Sequence, residues 1–444
     1  MAVPSTGTPE TAGWFGHPRG LSTLFFTEMW ERFSYYGMRA FLILYMTASV
    51  ANGGLGFDDR TAATVYGNYV GSVWLTPILG GIIADRFLGQ YRSVLIGGSI
   101  IALGHFTLAF KSLTAFYAGL VLIVIGTGLL KPNISTIVGS LYEDGDTRRD
   151  AGFSVFYMGI NLGAFLGPLI AGALAQKVDW HLGFAMAGIG MVFGLIQYVI
   201  GRRRLDPGLV RLASRPKPAT TSAGPSSGFT ADEWKRIVVI FVLFVFAAIF
   251  WGAYEQAGST LNLFGDRHTN NVVLGFAFPS SWYISVQAGF VIILAPILGW
   301  LWFRLGPRQP SVPAKFAIAL LCAGLAFLLL VPAGSLAQSG VGVKVNPLWL
   351  VGSYFLAVVG ELCLSPVGLS AVTKLSPVRI VSLMMGVFFL SNALGNKLAG
   401  WTAGFFSSMP LDVLFGVVAA VCLAAALIMF VLIRPVRRLM GGVS

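Results

Sequence analysis

Apolar runs of about 20 residues, long enough to cross a bilayer as helices, recur along the whole 444-residue chain between short polar stretches. They predict twelve helices, near residues 20–50, 60–85, 92–111, 113–138, 150–176, 180–201, 235–262, 280–304, 314–333, 347–374, 379–406 and 410–434. Continuous apolar runs of this length exclude an outer-membrane barrel, whose strands alternate in short pieces. The fold class expected is an all-α integral membrane protein.

The pattern breaks once in mid-chain. Residues 202–234 hold three consecutive arginines, then Pro207, Pro216, Pro218 and Pro225 among Thr, Ser and Gly, with no apolar stretch. This reads as a linker between two six-helix bundles, 20–201 and 235–434, flanked by tails at 1–19 and 435–444. A weak internal repeat supports the division. Gly80-Gly81-Ile82-Ile83-Ala84-Asp85-Arg86-Phe87-Leu88-Gly89-Gln90-Tyr91-Arg92 follows the second helix, and Gly299-Trp300-Leu301-Trp302-Phe303-Arg304-Leu305-Gly306-Pro307-Arg308 follows the eighth. Two similar six-helix halves are the pattern of major facilitator transporters.

Composition agrees: 56% of residues are hydrophobic and only 11% charged. The formal charge of +12 does not point to nucleic acid, because the basic residues sit on alternate loops. Arg86, Arg92, Arg148, Arg149, Arg202, Arg203, Arg204, Arg304, Arg308, Lys374, Arg379, Arg434, Arg437 and Arg438 flank one set of helix ends, against Arg60, Lys111, Lys177, Arg267 and Lys344 on the other. This asymmetry predicts a cell (inner) membrane protein with both termini in the cytoplasm. Cys322, Cys363 and Cys422 lie in apolar helices without metal or disulfide spacing. The polar first twenty residues predict no cleaved signal peptide.

The candidate chemistry is carried by charges placed inside these helices. On the first, Glu28, Glu31, Arg32, Tyr35 and Arg39 fall at i, i+3, i+4, i+7 and i+11, one continuous stripe among apolar neighbours. A charge at the bilayer centre costs roughly 2.5–3.5 kcal/mol on insertion scales, so such groups read as functional. The competing reading is helix-to-helix packing, with Glu28 and Arg32 a simple pair. The full set of ionisable residues inside predicted spans is Glu28, Glu31, Glu255 and Glu361 against Arg32, Arg39, Lys131 and Lys397, so the signs balance. A cavity between halves would set cations against acids, which suits a zwitterion: its carboxylate on Arg32 and Lys131, its ammonium near Glu361. The bland alternative is a set of static bridges.

Nearby residues fit a lined cavity. Pro132 loosens the helix beside Lys131 so that Asn133 can face inward, Tyr157 and Asn161 share a face, and Glu361 precedes Ser365 and Pro366 by one turn. His105 stands alone on the third helix and reads as a satisfied packing residue, leaving proton chemistry to glutamates.

With Glu28-x-x-Glu31-Arg32-Phe33, Leu130-Lys131-Pro132-Asn133 and Phe156-Tyr157-Met158-Gly159-Ile160-Asn161-x-Gly163 quoted, the chain resembles the proton-dependent oligopeptide transporter family of the major facilitator superfamily. The resemblance runs from the first helix to the eleventh. It implies a proton-coupled symporter of di- and tripeptides, not an enzyme, with protons as coupling ion and no other cofactor, acting as a monomer in the lipid bilayer. Proton coupling and carboxylate recognition would fall on Glu28, Glu31 and Arg32. Lys131 would pair with Glu361 at an inner gate, and Arg39 with the proton-linked Glu255 at an outer gate. Tyr35, Tyr36, Tyr69 and Asn161 resemble residues that hold the peptide. The chain departs from the family in three places: residues 202–234 have no room for the two extra helices many bacterial members carry, and Gln287 and Phe388 stand where Asn and Trp are frequent.

The same fold could carry nitrate, an amino acid, a hormone or a drug. From a different class, a membrane enzyme would need a nucleophile-base pair or metal cluster, and no such constellation is found. A channel would not require the two-half organisation.

Overall fold

The computed structural model describes residues 13–143, 145–214, 229–377 and 380–441. Most of the 1–19 tail, the centre of the linker, Arg379 and the end of the 435–444 tail lie outside the described residues. The first half is built from α1 (Arg19–Thr47), α2 (Asp59–Ile83), α3 (Gln90–Leu108), α4 (Leu113–Ser140), α5 (Arg149–Gly167), α6 (Ala173–Lys177) and α7 (Trp180–Ile200). The second is built from α9 (Ala231–Tyr254), α10 (Thr260–Arg267), α11 (Trp282–Leu305), α12 (Val312–Ala337), α13 (Leu348–Leu375), α14 (Val381–Ala403) and α15 (Leu411–Leu439). A thirteen-residue helix, α8 (Arg202–Ser214), opens the linker.

Two predicted spans are interrupted, each at an identifiable residue. Pro168 cannot donate a backbone hydrogen bond, so the helix relaxes into a π turn over Pro168–Gly172 and resumes as α6. Likewise α9 gives way to a 3₁₀ turn at Glu255–Gly258 before α10. Counted as spans, α5 with α6 and α9 with α10 give twelve crossings. Eight are apolar enough to cross a membrane by length and composition alone; α1, α2, α3 and α14 fall short because they carry charges, asparagines, tyrosines or many glycines. Polar helices of this kind belong inside a bundle, where protein rather than lipid surrounds them.

Burial follows that logic. Almost the whole of α1 is buried, against α5 and α7 on its own side. By contrast α15 turns Val417, Val421, Leu427, Ile428, Phe430 and Val431 outward, an apolar wall suited to lipid. Between halves, α2 packs on α14 and α5 on α11.

Two of the helix starts are fixed by side-chain caps. The Asp58 side chain accepts from the Thr61 N–H at 2.9 Å to open α2. Thr230 and Glu233 form a reciprocal capping box that opens α9. Helix α8 is held on the end of α4, where Arg211 donates to the Leu141 carbonyl at 2.9 Å and pairs with Glu143. The side where α1 begins and α15 ends is called the tail side below, the opposite one the far side.

The bonds that join the two halves cluster between mid-span and the far side. Arg39 pairs with Glu255. Asn262 donates to the Ala40 carbonyl at 2.7 Å, Ser285 to the Phe165 carbonyl at 2.7 Å and Trp282 to the Leu169 carbonyl at 3.2 Å. Gln176 donates to Asp266 and Ser280, and Arg267 clasps Asp59. The far side is therefore zipped shut.

Candidate substrate and coupling site

The stripe on α1 exists because α5 lets α1 come close. A Cβ on Gly163 would meet the Met29 carbonyl oxygen at 2.1 Å and the Arg32 Cβ at 2.9 Å, so only glycine permits this approach. The contact points Glu28, Glu31 and Arg32 into protein, 2%, 1% and 4% exposed respectively. Arg32 Nε pairs with Glu31 and, at 3.2 Å, with Glu28 Oε1. One guanidinium thus serves two acids. Among the described residues Glu28 Oε2, Glu31 Oε1 and Arg32 Nη2 have no partner, which leaves the cluster able to accept a proton on one edge and to donate to an anion on another.

One turn on, the Arg32 guanidinium lies 5.3 Å from the Tyr35 ring centroid, and the Tyr35 and Tyr36 rings meet edge to face at 5.1 Å. Further along α1, Arg39 donates from Nε to the Tyr66 hydroxyl at 2.6 Å and from Nη2 to Glu255. Glu255 stands at the break between α9 and α10. Irregular backbone at membrane depth is tolerated where protein or a cavity surrounds it. Tyr69, three residues after Tyr66 on α2, is buried with its hydroxyl unpartnered among the described residues.

Lys131 and Glu361 do not form an ion pair. The Lys131 ammonium sits 3.3 Å from the Trp74 ring centroid, while Glu361 is buried on α13 with Oε2 unpartnered among the described residues. Tyr157 and Tyr254 lie within electrostatic reach of Glu361. Tyr157 is 41% exposed. Asn161 donates to the Tyr157 carbonyl at 3.0 Å, and Gln287 is buried with its amide nitrogen unpartnered among the described residues. Asn133 is spent on the backbone, donating to the Leu129 carbonyl at 2.7 Å. Ser365 reaches the Glu361 carboxylate. Phe388 is packed into the second bundle, its ring tip 2.7 Å from where a Cβ on Gly368 would lie.

Two sequence expectations change. Lys397 is exposed on α14 near the far side, where a long flexible stem lets its ammonium reach the interface. The buried set is thus four acids against Arg32 and Arg39, with Lys131 half-buried beside them. His105 is wholly buried, yet neither ring nitrogen has a protein partner among the described residues, so it packs without being satisfied.

Sequence reading missed Tyr66, Trp74 and the pair Asp59–Arg267. For Tyr66 a signal existed: it shares a helix face with Tyr69 at i, i+3. For Trp74 and Asp59 there was none, since both acquire partners only through tertiary packing.

Twelve crossings in two bundles, closed at one side around charges that bridge the halves, define a membrane transporter of the major facilitator class. Residues 91–206 and 226–421 match the sequence model of the POT family. The chain belongs to that family. It is 41% identical to an uncharacterized transporter, YclF, of Bacillus subtilis (strain 168), over 97% of this chain and 96% of the relative. It is 39% identical to the peptide transporter YePEPT of Yersinia enterocolitica subsp. palearctica, over 99% and 98%. Among solved structures, a peptide transporter POT in complex with sulfate matches with TM-score 0.90 and 40% identity over 97% of each chain. A POT family transporter in complex with 5-aminolevulinic acid matches with TM-score 0.86 and 32% identity, over 96% of this chain and 98% of that one.

Proposed function

We propose that this chain is a proton-coupled symporter of di- and tripeptides that works by alternating access in the cell membrane, with both termini cytoplasmic. The observation that carries the reading is the unequal state of two ion pairs. Arg39 and Glu255 are joined, whereas Lys131 is stacked on Trp74 away from Glu361. On this reading the far side is extracellular and shut, and the structure represents the state open to the cytoplasm. The names of its relatives, which include a di-/tripeptide transporter of Lactococcus lactis subsp. cremoris at 36% identity, support peptides as cargo.

A peptide carboxylate is held by Arg32 and Lys131, and its ammonium by Glu361. Tyr35, Tyr36, Tyr69, Tyr157, Asn161 and Gln287 line the backbone between them, with Asn133, Ser365 and Phe388 shaping the walls. Protonation of Glu28 or Glu31 releases Arg32 toward the arriving carboxylate, and protonation of Glu255 releases Arg39 and opens the far side. Each proton moving down the potential supplies about 2.3 kcal/mol per 100 mV.

One observation favours a broader class. The neighbour bound to 5-aminolevulinic acid holds a small molecule with an amine and a carboxyl, which the same opposed charges could grip.

The test is labelled dialanine uptake into proteoliposomes. Uptake should require an inward proton gradient, fall to background for Glu31→Gln and for Arg32→Lys, and be competed by tripeptides. Uptake that ignores the gradient refutes coupling. Competition by 5-aminolevulinic acid but not by tripeptides refutes the peptide assignment.

A further inference from the structure

The connection between α10 and α11 on the far side folds as a hairpin of two short strands, β1 (Val272–Val273) and β2 (Phe276–Ala277), paired antiparallel with Val273 opposite Phe276. Its two-residue turn is Leu274-Gly275, with φ of 50° and 80°. Positive φ at both turn positions selects Asn, Asp or Gly, and a bulky leucine at the first is strained. Leu274 is nevertheless there, 103% exposed, flanked by exposed Val272, Val273 and Phe276. Five apolar or glycine residues therefore project from the tip, on a turn whose backbone disfavours the largest of them. In water that arrangement costs both strain and apolar exposure.

The base of the hairpin has a different character. Phe276 and Phe278 pack on Trp282, the first residue of α11, with centroids 5.9 and 6.3 Å apart. Lys177, at the end of α6 in the first half, donates to the Ala277 carbonyl at 3.1 Å. Its ammonium lies 5.6 Å from the Phe276 ring centroid and 5.9 Å from that of Trp282. A tryptophan, phenylalanines and a lysine gathered at the end of a membrane helix are the composition of the bilayer interface, where aromatic rings sit at headgroup depth and ammonium groups reach phosphates. Below Trp282, α11 continues outward with Ile292, Ile293 and Ile297, all exposed, so the hairpin is continuous with the wall that faces lipid.

We infer that the 272–277 hairpin is a membrane anchor, its Leu274 tip seated in the headgroup and acyl boundary of the far leaflet. Its base is tied to the first bundle through Lys177 and its strands to the second, so the anchor fixes the far-side seam between bundles to the bilayer surface. The occupant is lipid; a second copy of the chain and bulk water are the outcomes that exclude it.

The test uses the full-length protein in liposomes, with a nitroxide on Leu274→Cys in a Cys322→Ala background. Cys363 and Cys422 are buried and stay unlabelled. Two further labelled variants calibrate depth: Ile293→Cys on the lipid face of α11 and Ala51→Cys in the exposed turn after α1. Collision rates with oxygen and with a water-soluble nickel chelate are compared. The anchor requires the oxygen-to-nickel ratio at Leu274 to be several-fold above that at Ala51 and to approach that at Ile293. A ratio equal to that at Ala51 places the tip in water and overturns the inference. Low collision with both reagents, together with spin-spin broadening that disappears on dilution with unlabelled protein, assigns the tip to a second copy and equally overturns it. Because the readout is depth and not uptake, it stands or falls separately from the transport reading.

Discussion

Arg267 of α10 clasps Asp59 of α2 through two parallel bonds of 2.7 Å, Nη1 to Oδ2 and Nη2 to Oδ1, and Ser407 adds its hydroxyl to the same carboxylate. Two halves of the molecule meet at this fork, well beyond the Arg39–Glu255 bridge. Its geometry depends on a planar guanidinium. Arg267→Lys keeps the charge but loses the fork, and should weaken far-side closure by about 1–2 kcal/mol, roughly a 5- to 30-fold shift toward the state open on that side. Spin labels on Ala51 and Ser339, exposed far-side sites in the first and second halves, should report longer separations. An unchanged distance distribution would show that the fork plays no part in closure.

Trp74 gives a second handle on the cycle. Stacked 3.3 Å from its ring centroid, the Lys131 ammonium gains about 0.5–2 kcal/mol from the aromatic face, and it must give this up to reach Glu361. Trp74→Leu should therefore favour the Lys131–Glu361 pair and pull the tail ends of α4 and α13 together. Labels on Ser135 and Thr373, both exposed near those ends, should move closer, whereas Trp74→Phe should give a smaller displacement in the same direction.

The sequence revealed the parts that local pattern controls and hid those that packing decides. Apolar period and length were enough for the twelve crossings, and the α1 stripe was visible because charges inside an apolar run are improbable without a role. Glu255 was found for the same reason, although its position at a helix break was not. Tertiary contacts left no such trace. Lys397 reads in sequence like Lys131, yet one is exposed and the other stacked on Trp74, because the exposed face of a helix is set by its neighbours. Asp59 is in sequence an ordinary first-turn acid of α2; only the fold brings Arg267 to it from 208 residues away.

The loop between α4 and α5 offers a pH test outside the membrane. Asp146 accepts from the Arg148 side chain at 3.1 and 2.7 Å and from its backbone N–H at 2.9 Å, and these bonds hold its carboxyl down at about 2. Arg148 in turn donates to the Gly16 carbonyl at 3.1 Å, docking the tail. A depressed carboxylate contributes its stabilisation above the ordinary range near 3.9 and loses it as pH falls through the folded value. Hydrogen exchange over residues 14–18 should therefore be faster in Asp146→Asn than in wild type. That difference should hold from pH 7 to about 4 and shrink only as pH approaches 2. A difference already gone at pH 4 would mean that the carboxylate is not held by Arg148.

At the charged stripe of α1, the position most sensitive to a single methyl group is Gly163. An added Cβ there cannot be relieved by rotating a side chain, because the atom it meets, 2.1 Å away, is the backbone oxygen of Met29. Relief requires α5 to move off α1, and the displaced residue on α1 would be Arg32, whose Cβ is the second contact. Overpacking of this kind costs about 1–3 kcal/mol, so Gly163→Ala should lower the thermal midpoint in detergent by several degrees. Gly81→Ala, whose added Cβ meets nothing within 4 Å, should not lower it and should raise it slightly, because alanine is the better helix former. Uptake should separate the two roles of the contact. If α5 serves only to stabilise the bundle, Gly163→Ala retains uptake in proportion to folded protein. If it also aims Arg32 at the carboxylates of Glu28 and Glu31, uptake per folded molecule falls further, and the loss is not recovered at low temperature where the variant is fully folded.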